Sequence, residues 1–153
     1  MKKILVSECL HGGRIVRYDG KEKVETNPIF VGWKEEGRLI TVCPEVFGGL
    51  PTPRVDSQRL GDKVVSRDGR DVTGEYTTGA LEALRLAKEH DIAFAIMKEK
   101  SPSCGVKLIY DGTFSGNKVP GMGITTQLLR EAGFKVFSEE ELEEAKAYLE
   151  SLE

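Results

Sequence analysis

The chain has 153 residues, of which 39% are hydrophobic and 31% charged, with a formal net charge of −3. That apolar content suits one core and is too little for two. The near-balanced charge excludes a polyanion-binding surface, so bulk nucleic acid is not an expected partner, although a single base needs no basic stripe. No apolar run approaches the ~20 residues of a membrane span. Met1-Lys2-Lys3 is followed only by Ile4, Leu5 and Val6 before Ser7 and Glu8, short of a secretory apolar region of roughly 7–15 residues. The expectation is a soluble, cytoplasmic protein.

Lys3 to Val6 is an aliphatic run without polar alternation and reads as a buried strand. Thr26-Asn27-Pro28 opens a helix with Pro28 at its first position, running through Phe30, Val31 and Trp33 to a stop at Gly37. Leu39 to Val42 is a second strand. Pro44 to Pro53 holds three prolines and two adjacent glycines and reads as loop. Val64 to Thr73, with Asp68-Gly69 between strand-compatible runs, reads as a small hairpin. After Thr73, Leu81, Leu84 and Ala87 recur at helical spacing, with Lys88 and His90 near the C-terminal end.

Ile92 to Met97 is a third strand, and Ser101 to Gly105 is a loop. Leu108 to Tyr110 is a short extended segment turned by Asp111-Gly112, and Gly116 to Gly123 reads as loop. Ile124 to Ala132 is a helix ended by Gly133, and Lys135 to Phe137 is a fourth strand. Ser138-Glu139-Glu140-Glu141 carries a capping-box signature for a last helix with Leu142, Ala145, Tyr148 and Leu149 on one face. This alternation predicts an α/β fold: one Rossmann-like parallel sheet with flanking helices and a small β-hairpin, with residues 1–153 as a single domain.

The three cysteines fall at informative places. Cys9 comes two residues after the first strand, Cys43 directly after the second, and Cys104 in the loop after the third. Open α/β sheets bind ligands outside the carboxyl ends of their strands, so all three are expected on one edge of one sheet. Free cysteines are also common as small buried hydrophobes, but such residues have no reason to choose three strand ends. A shared sulfur-rich site suits zinc or an iron–sulfur cluster. Structural zinc wants four ligands, usually with a paired C-x-x-C, which is missing here. His11, two residues from Cys9, keeps a Cys3His zinc site open. Clusters usually take four cysteines, so three would leave one iron available as a Lewis acid or sulfur acceptor.

The neighbours of the cysteines add chemistry. Glu45, in Cys43-Pro44-Glu45, is a surface acid on the plainest view and a general acid or base if it stands beside a metal. Ser101 and Ser103 flank Pro102 before Cys104 and fit either turn chemistry or a hydrogen bond to a bound ligand. Gly105 and Gly48-Gly49 would let backbone approach the site.

The segments Lys3 to Cys9 (KILVSEC), Val16 to Gly20 (VRYDG), Cys43 to Arg54 (CPEVFGGLPTPR), Ser101 to Gly105 (SPSCG), Ile109 to Gly112 (IYDG) and Phe114 to Gly116 (FSG) together resemble the TudS-like thiouracil desulfurase family. The resemblance covers about Lys3 to about Glu139. It implies a [4Fe-4S] cluster on Cys9, Cys43 and Cys104. It also implies a non-redox activity: the thiocarbonyl sulfur of a thiolated pyrimidine binds the open iron, water attacks the carbon, and uracil and hydrosulfide result. The acid–base glutamate of the family matches Glu45 and its substrate-contacting serine matches Ser101; Ser103 and Gly48 are further candidate substrate contacts. Glu8, before the first cysteine, departs from the small residue common there. Two other readings compete: an iron–sulfur carrier that passes sulfur on for nucleotide thiolation, and a cluster-free thiol redox module with Cys104 as nucleophile.

Overall fold

In the computed structural model, which describes residues 1–153, the first half of the chain runs β1 (Ile4–Ser7), α1 (Glu8–His11), α2 (Pro28–Glu35), β2 (Leu39–Val42), α3 (Pro44–Phe47), β3 (Ser57–Leu60), β4 (Lys63–Ser66) and α4 (Thr73–Glu89). The second half runs β5 (Phe94–Met97), β6 (Leu108–Tyr110), β7 (Lys118–Pro120), α5 (Ile124–Glu131), β8 (Val136–Ser138) and α6 (Leu142–Leu152). Strands β2, β1, β5 and β8 form a parallel sheet in that order, and β3-β4 and β6-β7 form two antiparallel hairpins. No helix is long and apolar enough to cross a membrane.

Alternation along the strands builds two apolar layers, because successive side chains of a strand leave opposite faces. Ile4, Val6, Phe94 and Ile96 face α2 and α6, meeting Phe30, Trp33, Leu142, Ala145 and Leu149. Leu5, Ala95 and Met97 face α4 and α5, meeting Ala83, Ala87 and Leu129. Burying each large aliphatic or aromatic chain stabilises by roughly 1.5–3 kcal/mol. Phe94 is the hub of the first layer, with edge-on contacts to Trp33, Phe137 and Tyr148 at centroid distances of 5.7, 5.5 and 5.9 Å.

Helix α2 begins as expected: Asn27 Oδ1 accepts the N–H of Ile29, and Pro28 occupies the first turn. Several expectations need correction. Pro44 to Pro53 is not all loop, because Pro44 at the first helical position starts the single turn α3. The principal hairpin is β3-β4, which turns at Gly61-Asp62; the Asp68-Gly69 turn exists, but its second arm is reduced to a bridge between Val65 and Asp71. Gly116 to Gly123 contains β7 rather than loop alone.

Helix α4 buries Tyr76, Ala80, Ala83 and Ala87, while Leu81 is 54% exposed. Its inner stripe is small because the helix lies close against the sheet and α5. The last helix starts at Leu142 rather than inside the Ser138 box. The box residues still pair: Glu141 Oε1 accepts from the Ser138 N–H, and Ser138 Oγ accepts from the Glu140 N–H.

Candidate active site

In the order β2-β1-β5-β8, the connection from β1 leads to one side and the connection from β2, through α4, crosses to the other. The switch point therefore lies at the carboxyl ends of β1 and β5, where an open α/β sheet leaves a crevice. A cavity of about 470 Å3 sits there, roofed by the β3-β4 hairpin and the segment around Tyr110 and Phe114. That volume suits a small organic ligand. Cys9, Cys43, Cys104, Glu45 and Ser101 all line it, so five of the seven residues singled out in the sequence come together.

Each cysteine is held by a different device. Cys9 lies in the one-turn α1 that caps β1, and Cys43 is the N-cap residue of α3. Cys104 is 5% exposed and sits in a turn closed by Ser101: Ser101 Oγ accepts the N–H groups of Ser103 at 3.0 Å and Cys104 at 3.1 Å. The Cys104 carbonyl in turn accepts from Thr126 Oγ1 at 2.9 Å.

Burial pushes the Cys9 thiol up to about 12, with Cys43 adding to the rise and Lys98 opposing it. Burial also raises Cys43, against an opposing N–H from Val46. It raises Cys104 further, with the Ser7 hydroxyl opposing and Cys9 adding. Burial leaves Cys104 a poor nucleophile, which weighs against the cluster-free thiol module.

The donor set fits an iron–sulfur cluster. No three histidine, cysteine or carboxylate side chains close on one ion-sized point, yet the Cys9 thiol interacts with both Cys43 and Cys104, and all three line a single cavity. Thiols spread in this way match a polynuclear group, in which different metal atoms take different thiolates, better than a lone ion. His11 is not a wall of the cavity and its Nδ1 pairs with the Gly12 carbonyl at 3.0 Å, so it does not complete a Cys3His zinc site.

Glu45 projects from α3 and meets a residue the sequence reading passed over. Arg54 donates to Glu45 Oε2 through Nη2 at 2.6 Å and Nε at 3.0 Å, and Arg54 is itself tied to the Pro51 carbonyl and Thr52 Oγ1. Glu45 Oε1 accepts from Ser101 Oγ at 3.4 Å. Arg54 ends the proline-rich run of the CPEVFGGLPTPR segment, and an arginine nine positions after an acid gave no periodic signal. Glu8 also lines the cavity, held in a two-pronged pair with Arg14 at 2.7 and 2.9 Å.

Two expected substrate contacts lie elsewhere. Gly48 is not a cavity wall: a Cβ there would sit 1.9 Å from the Glu75 carbonyl oxygen, so it serves the close packing of α3 on α4. Gly79 does the same from the other side, 1.9 Å from the Pro44 carbonyl oxygen. Ser103 is 1% exposed and its Oγ pairs with Thr125 Oγ1 at 2.9 Å, pinning the cysteine turn to α5. Gln58, Lys98 and Glu99 line the cavity without having been anticipated. The Glu99 Oε1 atom accepts backbone N–H groups from Lys100, Val106, Lys107 and Leu108. Burial would raise its carboxyl, but these donors outweigh that and hold it below the usual carboxylate range.

The chain is 42% identical to the uncharacterized protein YbbK of Bacillus subtilis (strain 168), an alignment that covers 91% of this chain and 97% of the relative. It is also similar to the solved structure of a [4Fe-4S]-dependent thiouracil desulfidase, TudS, at a TM-score of 0.95 and 47% identity, covering 98% of this chain and 99% of the other. Residues 4–141, which include every cavity residue named above, match the 2-thiouracil desulfurase family model. The chain belongs to the 2-thiouracil desulfurase family.

Proposed function

We propose that this protein is a [4Fe-4S]-dependent thiouracil desulfurase: it removes sulfur from a free thiolated pyrimidine and yields uracil and hydrosulfide. The observation that carries the reading is that Cys9, Cys43 and Cys104 line one cavity with Glu45 and Ser101 at the switch point of the sheet. Family membership and the likeness to a thiouracil desulfidase support the same activity.

In this reading, Cys9, Cys43 and Cys104 hold the cluster, and residues 1–153 act as one domain. When bound, a cluster with only three protein ligands supplies a soft Lewis-acid iron suited to sulfur. The rest of the chemistry belongs to the chain. Glu45 takes a proton from the attacking water and delivers one to the departing sulfur, which leaves as hydrosulfide while the new carbonyl sheds the second water proton to solvent, help worth typically ~10²–10⁴-fold. Arg54 fixes that carboxylate through Oε2, which leaves Oε1 toward Ser101. Ser101 holds the Cys104 turn with its oxygen and directs its proton at Glu45. Overall, water adds across the C=S carbon, the C–S bond breaks, and no electrons are exchanged with an outside donor. The reaction belongs in the reducing cytoplasm, where thiols persist.

Protein purified without oxygen should carry iron and acid-labile sulfide. It should convert 2- or 4-thiouracil to uracil and sulfide with no added reductant. A folded, iron-free protein, or a loaded one that leaves both thiouracils intact, overturns the reading; sulfide passed to an acceptor without uracil formation points to the carrier instead.

A further inference from the structure

Gln58, the second residue of β3, is 6% exposed and lines the cavity. Its Oε1 accepts the N–H of Gly112 at 3.0 Å and of Phe114 at 3.2 Å. An amide nitrogen cannot accept those bonds, so the two backbone donors fix which end of the side chain is which. Nε2 then carries two N–H donors and makes no hydrogen bond within the protein. It is not sealed off: across the molecule, the one side-chain nitrogen or oxygen shut away from solvent without a hydrogen bond is Arg38 Nε. The open space beside Gln58 is the cavity it lines. Glu99, also 6% exposed, repeats the pattern with opposite sign: Oε1 is taken by four backbone donors, and Oε2 has no donor in the protein.

A ligand that excludes water from this cavity must supply an acceptor for Gln58 Nε2, or leave a buried donor unpaired. A donor pair and an acceptor on one wall complement a lactam edge, a carbonyl beside a ring N–H. In 2-thiouracil and 4-thiouracil alike, the C=S group and the remaining C=O flank the same ring N–H. One recogniser of that C=O therefore serves both isomers.

We propose that Gln58 is the specificity-determining residue of the site, donating through Nε2 to the oxo group that the substrate keeps. This rests on the desulfurase reading above. It makes the enzyme selective for pyrimidines with a full lactam edge: cytosine either presents its 4-amino donor to Gln58 or, turned over to present its 2-oxo group, brings an unprotonated ring nitrogen to Glu99 where uracil brings an N–H.

Uracil and cytosine are the probes, since neither carries sulfur and binding needs no turnover. Calorimetric titration of cluster-loaded wild-type protein should show uracil bound more tightly than cytosine. Gln58→Glu keeps an acceptor for Gly112 and Phe114 and removes both donors. It should weaken uracil by about tenfold or more and lower or reverse the preference over cytosine. Gln58→Met, which adds no charge, gives the second arm, with a similar loss for uracil and a smaller preference over cytosine. An unchanged uracil-to-cytosine ratio in either folded variant overturns the proposal, as does wild-type protein that binds the two bases equally or neither. Sulfide release from thiouracil is scored separately. A protein that distinguishes the bases through Gln58 but releases no sulfide refutes the desulfurase reading and leaves Gln58's role standing.

Discussion

Arg54 grips Glu45 by one oxygen: Nη2 at 2.6 Å and Nε at 3.0 Å both point at Oε2, and the side chains are only 6% and 14% exposed. A planar guanidinium can place two donors on one carboxylate atom, whereas an ammonium offers a point charge. Arg54→Lys should therefore keep the charge and lose the orientation. The expected result is a fall in turnover of roughly 10²-fold with normal iron content. Steady-state rates beside iron analysis check this, and an unchanged rate would deny Arg54 a positioning role.

Glu45→Gln should retain iron and labile sulfide while losing turnover by ~10²–10⁴-fold. The amide keeps the shape of the side chain and cannot exchange a proton with water at neutral pH. Single-turnover uracil formation, measured on protein with verified cluster content, separates the chemical step from loading.

Cys104→Ser should lose most bound iron, because a serine hydroxyl is a poor ligand for a soft metal. Cys9→Ser and Cys43→Ser should behave alike. Iron and acid-labile sulfide per chain are the readout, and a fully loaded Cys104→Ser protein would contradict the ligand assignment.

Gly79→Ala should destabilise the fold by about 1–3 kcal/mol, since the added methyl meets backbone rather than a movable side chain. The nearest atom, the Pro44 carbonyl oxygen, would be at 1.9 Å. Thermal unfolding against wild type measures it. Gly74→Ala, in the same helix and with nothing within 4 Å of the added atom, is the control that should show little change.

The carboxyl of Glu99 is held below its ordinary value of 4.5: burial opposes the charge, but the backbone donors from Lys107, Val106, Leu108 and Lys100 outweigh it. A depressed carboxyl stabilises the fold fully above the unfolded value and loses that stabilisation as pH falls through the folded one. The native protein should thus lose stability from Glu99 below about pH 4.5. Glu99→Gln should cost about 1–3 kcal/mol at pH 7 and flatten that acid limb. Denaturant midpoints from pH 3 to 7 for both proteins test the sign.

The placement of the cysteines was legible because position after a strand is a topological property that short aliphatic runs such as Ile4 to Val6 and Phe94 to Ile96 announce. Glu45 and Ser101 were legible because they adjoin those cysteines. Strand β3 was not: Ser57-Gln58-Arg59-Leu60 lacks β-branched residues, and it is held by pairing with Val64 and Val65 across a turn. With β3 went Gln58, whose burial comes from tertiary contacts alone. The inner face of α4 was misjudged because leucine outweighs alanine in any periodicity count, although close packing selects Ala80, Ala83 and Ala87. Gly48 looked like an approach to ligand, and a glycine that admits a neighbouring helix gives the same signal in one sequence.

The glycine contacts between α3 and α4 have a mirror on the other side of the cavity. Gly123 lies so near the cysteine turn that a Cβ would be 2.3 Å from the Ser103 carbonyl, and Ser103 is bonded to Thr125. One half of the site, Cys43 with Glu45, is thus mounted on α4, and the other half, Cys104 with Ser101, is mounted on α5. Those two helices pack on each other beneath the sheet through Ala83, Ala87 and Leu129. The small alanine side chains of α4 let the two helices lie close, on the far side of the sheet from α2 and α6, and so both halves of the site rest on one buried seam.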